Sequence, residues 1–553
     1  MKPQQKIPYK QLFAVAWVIF ISACGSMNDN SPSNSLSATN TAATDPVSVS
    51  NTVNSVKELG VGDVYQVAFA GSQPMTLDMS DVPEGAEYIL AVSNLNTSGS
   101  SSNMQLASSE SEVLAKSVSA NVDEEVADHE NEIALSDVAA RFHEELRFQE
   151  EITASEDHDD SVVSASKSVA AASASSAVPQ VGDQARFNVL SSLGNTGTTT
   201  VTATAKCIGQ NVIFYVDNEV ASKTASDLPD SDVQLLCDTF DRRVPQERAI
   251  FGSESDVDGN GHLNVLMTPQ INKMGAALGG LITGFFYAAN LYDPGMEIIY
   301  TLVPDGSAVY GQTVPRDFAM ENLLPSVLIH EFQHAISYNQ HVLIHGGSPE
   351  EPVFNEGLSH LSEDLFGEGR ENYARYETFL AHPANYGLFS GGSPNLGTRG
   401  ASYLFLRYLM EQSGSTSFVT RLLNTDQKGA GNIESAFDSK DASFDQFGEF
   451  YLRWVATLAL GSQGLSKDPR FSYQDRTRNS ETNNWEGVTL LGDADDGRGT
   501  QITGIVPATY RGYTSSNVMP GGSQFYRVTS APSEISLYSR GTGNFGAVVV
   551  RVK

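Results

Sequence analysis

The chain has 553 residues, 40% of them hydrophobic, enough to bury several cores, and two or more domains are expected. Its 66 acidic residues against 34 basic ones leave a net charge of −32, and a field of that sign excludes nucleic acid as a partner. Three cysteines without a C-x-x-C pair exclude a zinc site built on thiolates.

Lys2, Lys6 and Lys10 precede an apolar stretch, residues 12–21, that is too short for a stable membrane span. Ile21-Ser22-Ala23-Cys24-Gly25 follows, and small residues before a cysteine are similar to a bacterial lipobox. Residues 1–23 are therefore expected to be a lipoprotein signal peptide, with Cys24 lipidated; a plain secretory signal with an incidental cysteine is the alternative. Either way the mature chain is expected outside the cytoplasm, and with Cys24 lipidated it is expected to be anchored to a bacterial membrane. Gly25 after the cysteine favours the outer membrane in a Gram-negative cell. Residues 24–56, rich in Ser, Asn and Thr, read as a flexible tether. Alternation over 63–69 and 88–93 predicts a small β module at 57–107. Residues 108–178 read as an acidic, Ser-rich linker. Only 136–151 has a helical signature there, with Val138, Phe142 and Leu146 four apart.

Strand text returns after Val181, with 201–205 and 212–216. With Cys24 used for lipid, Cys207 and Cys237 remain as an even pair, expected to form a disulfide outside the cytoplasm; two unpaired buried thiols are the alternative. Asp256-x-Asp258-x-Asn260-Gly261 has the oxygen spacing of the first half of an EF-hand calcium loop. Met267 stands at the twelfth position, where an EF-hand needs Glu, and no helix is expected before the loop. It reads either as a reduced calcium site completed by a distant carboxylate or as an acidic turn between strands. Helical text takes over after about 315, including 401–410 and 444–460, and the tail from about 485 to 553 reads as short strands between glycines.

The most informative stretch is His330-Glu331-Phe332-Gln333-His334, an H-E-x-x-H pentad in an apolar run. On a helix, two imidazoles four apart share a face and can grip one zinc ion, with the glutamate beside them as general base. A catalytic zinc takes three protein ligands, so a third is needed. Glu356, His341 and His360 are the candidates. A metzincin asks for Gly at 337 and His at 340; Ser337 and Gln340 stand there, and His341 is out of register by about 100° of helix. Glu356 lies near the start of a second predicted helix, 352–365, and can face the histidines across a helix–loop–helix. His360, one turn on, is expected to orient a ligand or substrate, with a lesser claim as third ligand.

His-Glu-Phe-Gln-His followed by Asn355-Glu356-Gly357-Leu358-Ser359-His360 resembles the hyicolysin-like neutral zinc metallopeptidases of bacteria, a gluzincin arrangement. So do the segments 248–252, 256–261, 296–300 and 399–405. The resemblance covers roughly residues 180–490. It implies endopeptidase activity on protein or peptide substrates, with one zinc held by His330, His334 and Glu356, and Glu331 as general base. An oxyanion donor is expected from Tyr403, Tyr386 or His382, Tyr403 first. The expected fold is α+β: a zincin-like metallopeptidase domain at 179–484 with small β-rich modules before it and, at 485–553, after it. Two other functions fit the text. One is a catalytically silent surface lipoprotein that binds partners or glycans; the other is a latent enzyme whose segment 58–178 is removed on activation.

Overall fold

The computed structural model describes residues 51–71, 74–108, 133–156, 178–192, 197–389, 394–437, 447–529, 531–540 and 543–553. The expected signal peptide with Cys24, most of the tether, and the acidic linker on both sides of its helix lie outside the described residues. The described chain is mixed helix and sheet, an α+β protein. Among the described residues no helix is long and apolar enough to cross a membrane.

The site rests on a six-stranded sheet built from β5 (Gln184–Leu190), β6 (Thr198–Ile208), β7 (Val212–Asp217), β8 (Leu263–Met267), β9 (Gly284–Phe286) and β10 (Ile298–Thr301). Their order is β5-β6-β7-β8-β10-β9. Strands β7, β8 and β10 run parallel and are buried along their whole length, as continuous apolar runs require. The edge strand β9 returns antiparallel to β10.

Against this sheet pack α2 (Asp230–Phe251) and α3 (Leu324–Tyr338), the helix that carries the pentad. Pro325 sits in the first turn of α3, where a missing N–H costs nothing, and every residue from Ser326 to Tyr338 is buried. An all-buried helix belongs at the centre of a large core. π-Helical turns, Ala319–Leu323 and Asn339–Ile344, bracket it. The next helix, α4 (Pro352–Leu365), has the bounds its sequence predicts: proline at the first turn, and Gly367 at φ 68° beyond the end, a conformation that favours glycine. Then come α5 (Leu396–Ser413) and α6 (Phe447–Gly461).

Two glycines set the distances that matter. A Cβ on Gly284 would lie 2.5 Å from Val327 Cγ1, so only glycine lets β9 press against α3. A Cβ on Gly357 would lie 2.1 Å from Ser402 Oγ, so α4 and α5 touch backbone to side chain. These approaches bring β9, α3, α4 and α5 around one point.

The β-rich ends are not separate modules before and after the enzyme-like part. They interleave into one sandwich. The first half supplies β1 (Val64–Ala70), β2 (Met75–Asp78), β3 (Tyr88–Asn94) and β4 (Ser102–Ser108). The C-terminal half supplies β11 (Ala508–Thr509), β12 (Tyr513–Val518), β13 (Ser523–Val528), β14 (Glu534–Ser539) and β15 (Asn544–Arg551). One sheet runs β1-β15-β3-β13-β11 and the other β12-β4-β14-β2. Each half alone would expose unpaired edges and half a core, which is the physical reason for the merger. In β15, Phe545, Ala547 and Val549 face the second sheet, while Val548 and Val550 join the core on the α6 side.

Besides the short helix Asn218–Lys223, two longer helices escape the sequence reading. The charged α2 holds Pro245, an unfavourable residue inside a helix. Pro245 is exposed, and the Asp241 carbonyl it deprives of a helical donor accepts from Asn211 Nδ2 at 3.2 Å. A helix therefore does precede the acidic loop, ending at Phe251, with residues 252–255 leading to Asp256. The second is Pro269–Ala277, capped by the Thr268 side chain.

Cys207 of β6 and Cys237 of α2 form a disulfide. It ties the outer part of the sheet to a helix across a separation of 30 residues. Replacing both cysteines with alanine should lower the free energy of unfolding by about 3 kcal/mol. Equilibrium denaturation of the two proteins measures it, and equal midpoints and slopes would contradict it.

Candidate metal centre

On α3, His330 and His334 lie one turn apart on one face. Their Nε2 atoms are 3.2 Å from each other. The first turns of α4 bring Glu356 to both: Oε2 is 3.5 Å from His330 Nε2, and Oε1 is 3.5 Å from His334 Nε2. Of the three candidates for a third ligand, Glu356 is the one that reaches both pentad histidines, while His360 gathers with His330 and Glu363 alone. His341 is buried in the following π-helical turn, and burial pulls its imidazole down to about 4; it is not in this group.

The other ring nitrogens define the tautomers. His330 Nδ1 donates to Glu363 Oε1 at 2.8 Å, and His334 Nδ1 donates to Asn355 Oδ1 at 3.1 Å. With Nδ1 engaged, each Nε2 faces the other and the Glu356 carboxylate. Glu356 and Glu363 favour positive charge at this point, which either a proton on His330 or a bound metal ion can supply. The spacings of 3.2–3.5 Å also match the ~3.3 Å edge of a tetrahedron around zinc with bonds of about 2.0–2.1 Å. The residues present could hold a metal ion.

Glu363 also accepts from His360 Nδ1 at 3.1 Å, and the His360 ring lies 4.9 Å from that of His330. His360 thus stands behind a histidine that shares its carboxylate. Glu356, His360 and Glu363 recur at four- and three-residue spacing on α4, so one helix face supplies all three.

Charge around Glu356 is heavily compensated. Burial pushes its carboxyl up, but the Arg399 guanidinium of α5 and then His143 hold it well below the usual carboxylate range. Arg399 makes a direct ion pair with Glu356 Oε2. At His334, burial and then the Arg147 charge keep the imidazole neutral, which is the form that ligates. At His330, burial works downward but Glu356 and Glu363 raise the pKa to about 9.

Glu331 is 2% exposed, and its Oε2 accepts from the Phe286 N–H of β9 at 2.9 Å. The edge strand thereby orients the acid next to the two histidines. Tyr403 stacks on Tyr376 with centroids 6.2 Å apart, in the aromatic core. Arg399, one turn earlier on the same helix, is the residue of α5 that reaches Glu356. Tyr386 packs on Gly397, where a Cβ would lie 2.5 Å from its ring, and His382 is exposed at the end of the helix Asn372–Ala381.

One participant has no precedent in the sequence reading. Helix α1 (Ile133–Ser155), the helical stretch of the acidic linker, brings His143 into the same group as His330, His334 and Glu356. Their ligand atoms all lie within 4.8 Å of one another. The signal was a His, Arg and Glu at 143, 147 and 150, a polar stripe beside the apolar one.

The acidic loop gathers a second group: Asp256, Asp258 and Glu297. Glu297 is 1% exposed; its Oε1 accepts from Ser255 Oγ at 2.6 Å and Val257 N–H at 2.7 Å, while its buried Oε2 has no hydrogen-bond partner. Burial pushes its carboxyl up to about 7. Asn260 is turned inward instead: its Nδ2 donates to Asp258 Oδ2 and its Oδ1 accepts from the His262 N–H.

Comparison with known protein families finds no match to this chain, and comparison with characterised proteins finds none.

The Glu363 carboxylate fixes the tautomer of one candidate ligand. Glu363→Ala should therefore weaken zinc binding about 10–100-fold while leaving the fold intact by circular dichroism. Competition with a chromophoric chelator reads the affinity, and an unchanged value would contradict the arrangement.

Proposed function

We propose that this chain is a zinc-dependent endopeptidase of the gluzincin kind, acting on protein substrates outside the cytoplasm from a lipid anchor at Cys24. The observation that carries the reading is the convergence of two imidazole Nε2 atoms and one carboxylate at 3.2–3.5 Å, with Glu331 of the same pentad held beside them by a backbone N–H. The resemblance to hyicolysin-like peptidases supports it, and so does the packing of Glu331 against an edge strand.

When bound, zinc supplies a Lewis acid and acidifies a water molecule. Glu331 accepts that water's proton at its carboxylate and delivers it to the leaving amine. Phe286 N–H holds the Glu331 carboxylate in place for both transfers. His330 and His334 have their Nδ1 atoms engaged by Glu363 and Asn355, which leaves Nε2 as the atom of each ring that would face a metal.

A second reading has an observation of its own. Four protein ligands are the mark of a closed, structural zinc site. With His143 in the group, a surface lipoprotein that binds without catalysis fits as well. On either reading the acidic loop is a calcium site whose distant carboxylate is Glu297.

Full-length protein, assayed on a denatured protein substrate before and after limited proteolysis, separates the two. The peptidase reading expects one zinc per chain and cleavage by the activated form. Glu331→Gln should lower that cleavage about 10²–10⁴-fold with zinc retained. Equal cleavage by the variant, or none by the zinc-loaded parent in either form, would contradict it. For calcium, a concentration tenfold above its Kd should stabilise the protein by about 1.4 kcal/mol, and Asp258→Asn should abolish the effect. A melting curve indifferent to calcium would remove that site.

A further inference from the structure

A catalytic zinc needs one position free for water, yet the position facing His330, His334 and Glu356 is filled from elsewhere in the chain. His143 Nδ1 lies 3.5 Å from Glu356 Oε1, at the outer limit of a hydrogen bond, and neither atom has another hydrogen-bond partner. That distance is again close to the ~3.3 Å edge of a zinc tetrahedron. The His143 ring meets the His330 ring edge-on, centroids 5.9 Å apart.

The seat of α1 is shaped for this placement. Gly280 has no room for a side chain, because a Cβ there would lie 2.8 Å from Val138 Cβ. Phe142 packs edge-on against Phe285 of β9 at 5.2 Å, and Leu146 is buried in the same core. With the apolar stripe docked, the neighbouring stripe turns to the site. Arg147 Nη1 is 3.1 Å from Glu150 Oε1, and Arg147 Nε is 3.9 Å from Glu356 Oε1. His143 is 6% exposed, Arg147 and Glu150 2% each, and Glu331 2%. A general base so deeply covered cannot meet a polypeptide substrate. On the peptidase reading, an acid beside these histidines comes into use when that cover is gone.

We propose that His143 is the fourth protein ligand to the metal, and that α1 thereby keeps the centre closed until the helix is displaced. The inference rests on the metal-centre reading above. Opening is a ligand exchange without redox chemistry: the bond from the metal to a neutral imidazole breaks, and a water oxygen takes its place. Arg147 leaves with the helix, while Arg399 on α5 stays to balance Glu356. Removal of the whole segment 58–178, the sequence-based idea of latency, is not required and would strip β1–β4 from the sandwich.

The test uses the full chain loaded with cobalt(II), whose visible spectrum reports coordination. Wild type should bind one ion, with a spectrum unmoved by acetohydroxamate, a small chelating anion that needs an open position. His143→Ala should bind at least about tenfold more weakly, as removal of even an outer partner can cost that much. Its spectrum should shift with acetohydroxamate, and with zinc it should cleave denatured protein that the wild-type chain leaves intact. Gly280→Val displaces α1 through Val138 without touching a ligand, and should open the centre likewise if His143→Ala does not fold. An affinity and spectrum unchanged from wild type in the folded variants would overturn the role of His143 while leaving the metal centre standing. Failure of wild type to bind cobalt at all would overturn the metal-centre reading beneath it.

Discussion

Glu356 is a carboxylate with no access to water, and that single constraint organises the molecule around it. An isolated buried carboxylate is too costly to keep ionised unless cations surround it. Here Arg399 comes from α5, the imidazoles from α3, and His143 with Arg147 from α1, each from a different part of the chain. Glu363 shares the same volume, and Arg375 beside it adds a further buried cation. On the proposed reading, a divalent cation between the Nε2 atoms and Glu356 is what the set is built to hold.

Holding four elements around one carboxylate requires backbones that approach closely. Gly284 and Gly357 provide that, one between β9 and α3, the other between α4 and α5. The parallel centre of the sheet gives α3 a rigid floor, and the sandwich made from both ends of the chain packs on α6 at the far side of the helical layer. A substitution far from the histidines, at either glycine, would therefore reach the site through displaced helices rather than through chemistry.

Much of this is written locally. The pentad helix, the bounds of 352–365, and the strands at 88–93, 212–216 and 263–267 follow from apolar period, proline at first turns and glycine at ends. The second-sphere carboxylate Glu363 was within reach too, at i+7 from Glu356 on the same helix face. Other features have no local signature. That β3 pairs with β15 depends on segments hundreds of residues apart, each of which reads as a small module alone. The helix Asp230–Phe251 was hidden by its charge and Pro245, although Val233, Leu236, Phe240 and Val244 carry a helical period into the core. The helix holding His143 was legible as a helix; which surface it would cover was not, because periodicity names a buried face without naming its partner.

The most direct measurement is anomalous X-ray diffraction at the zinc absorption edge from crystals of the zinc-loaded full chain. The account predicts one strong peak within about 2.3 Å of His330 Nε2, His334 Nε2 and a Glu356 oxygen, since zinc bonds to nitrogen and carboxylate oxygen fall near 2.0–2.2 Å. No peak between those side chains, with zinc present in the crystal, would contradict it.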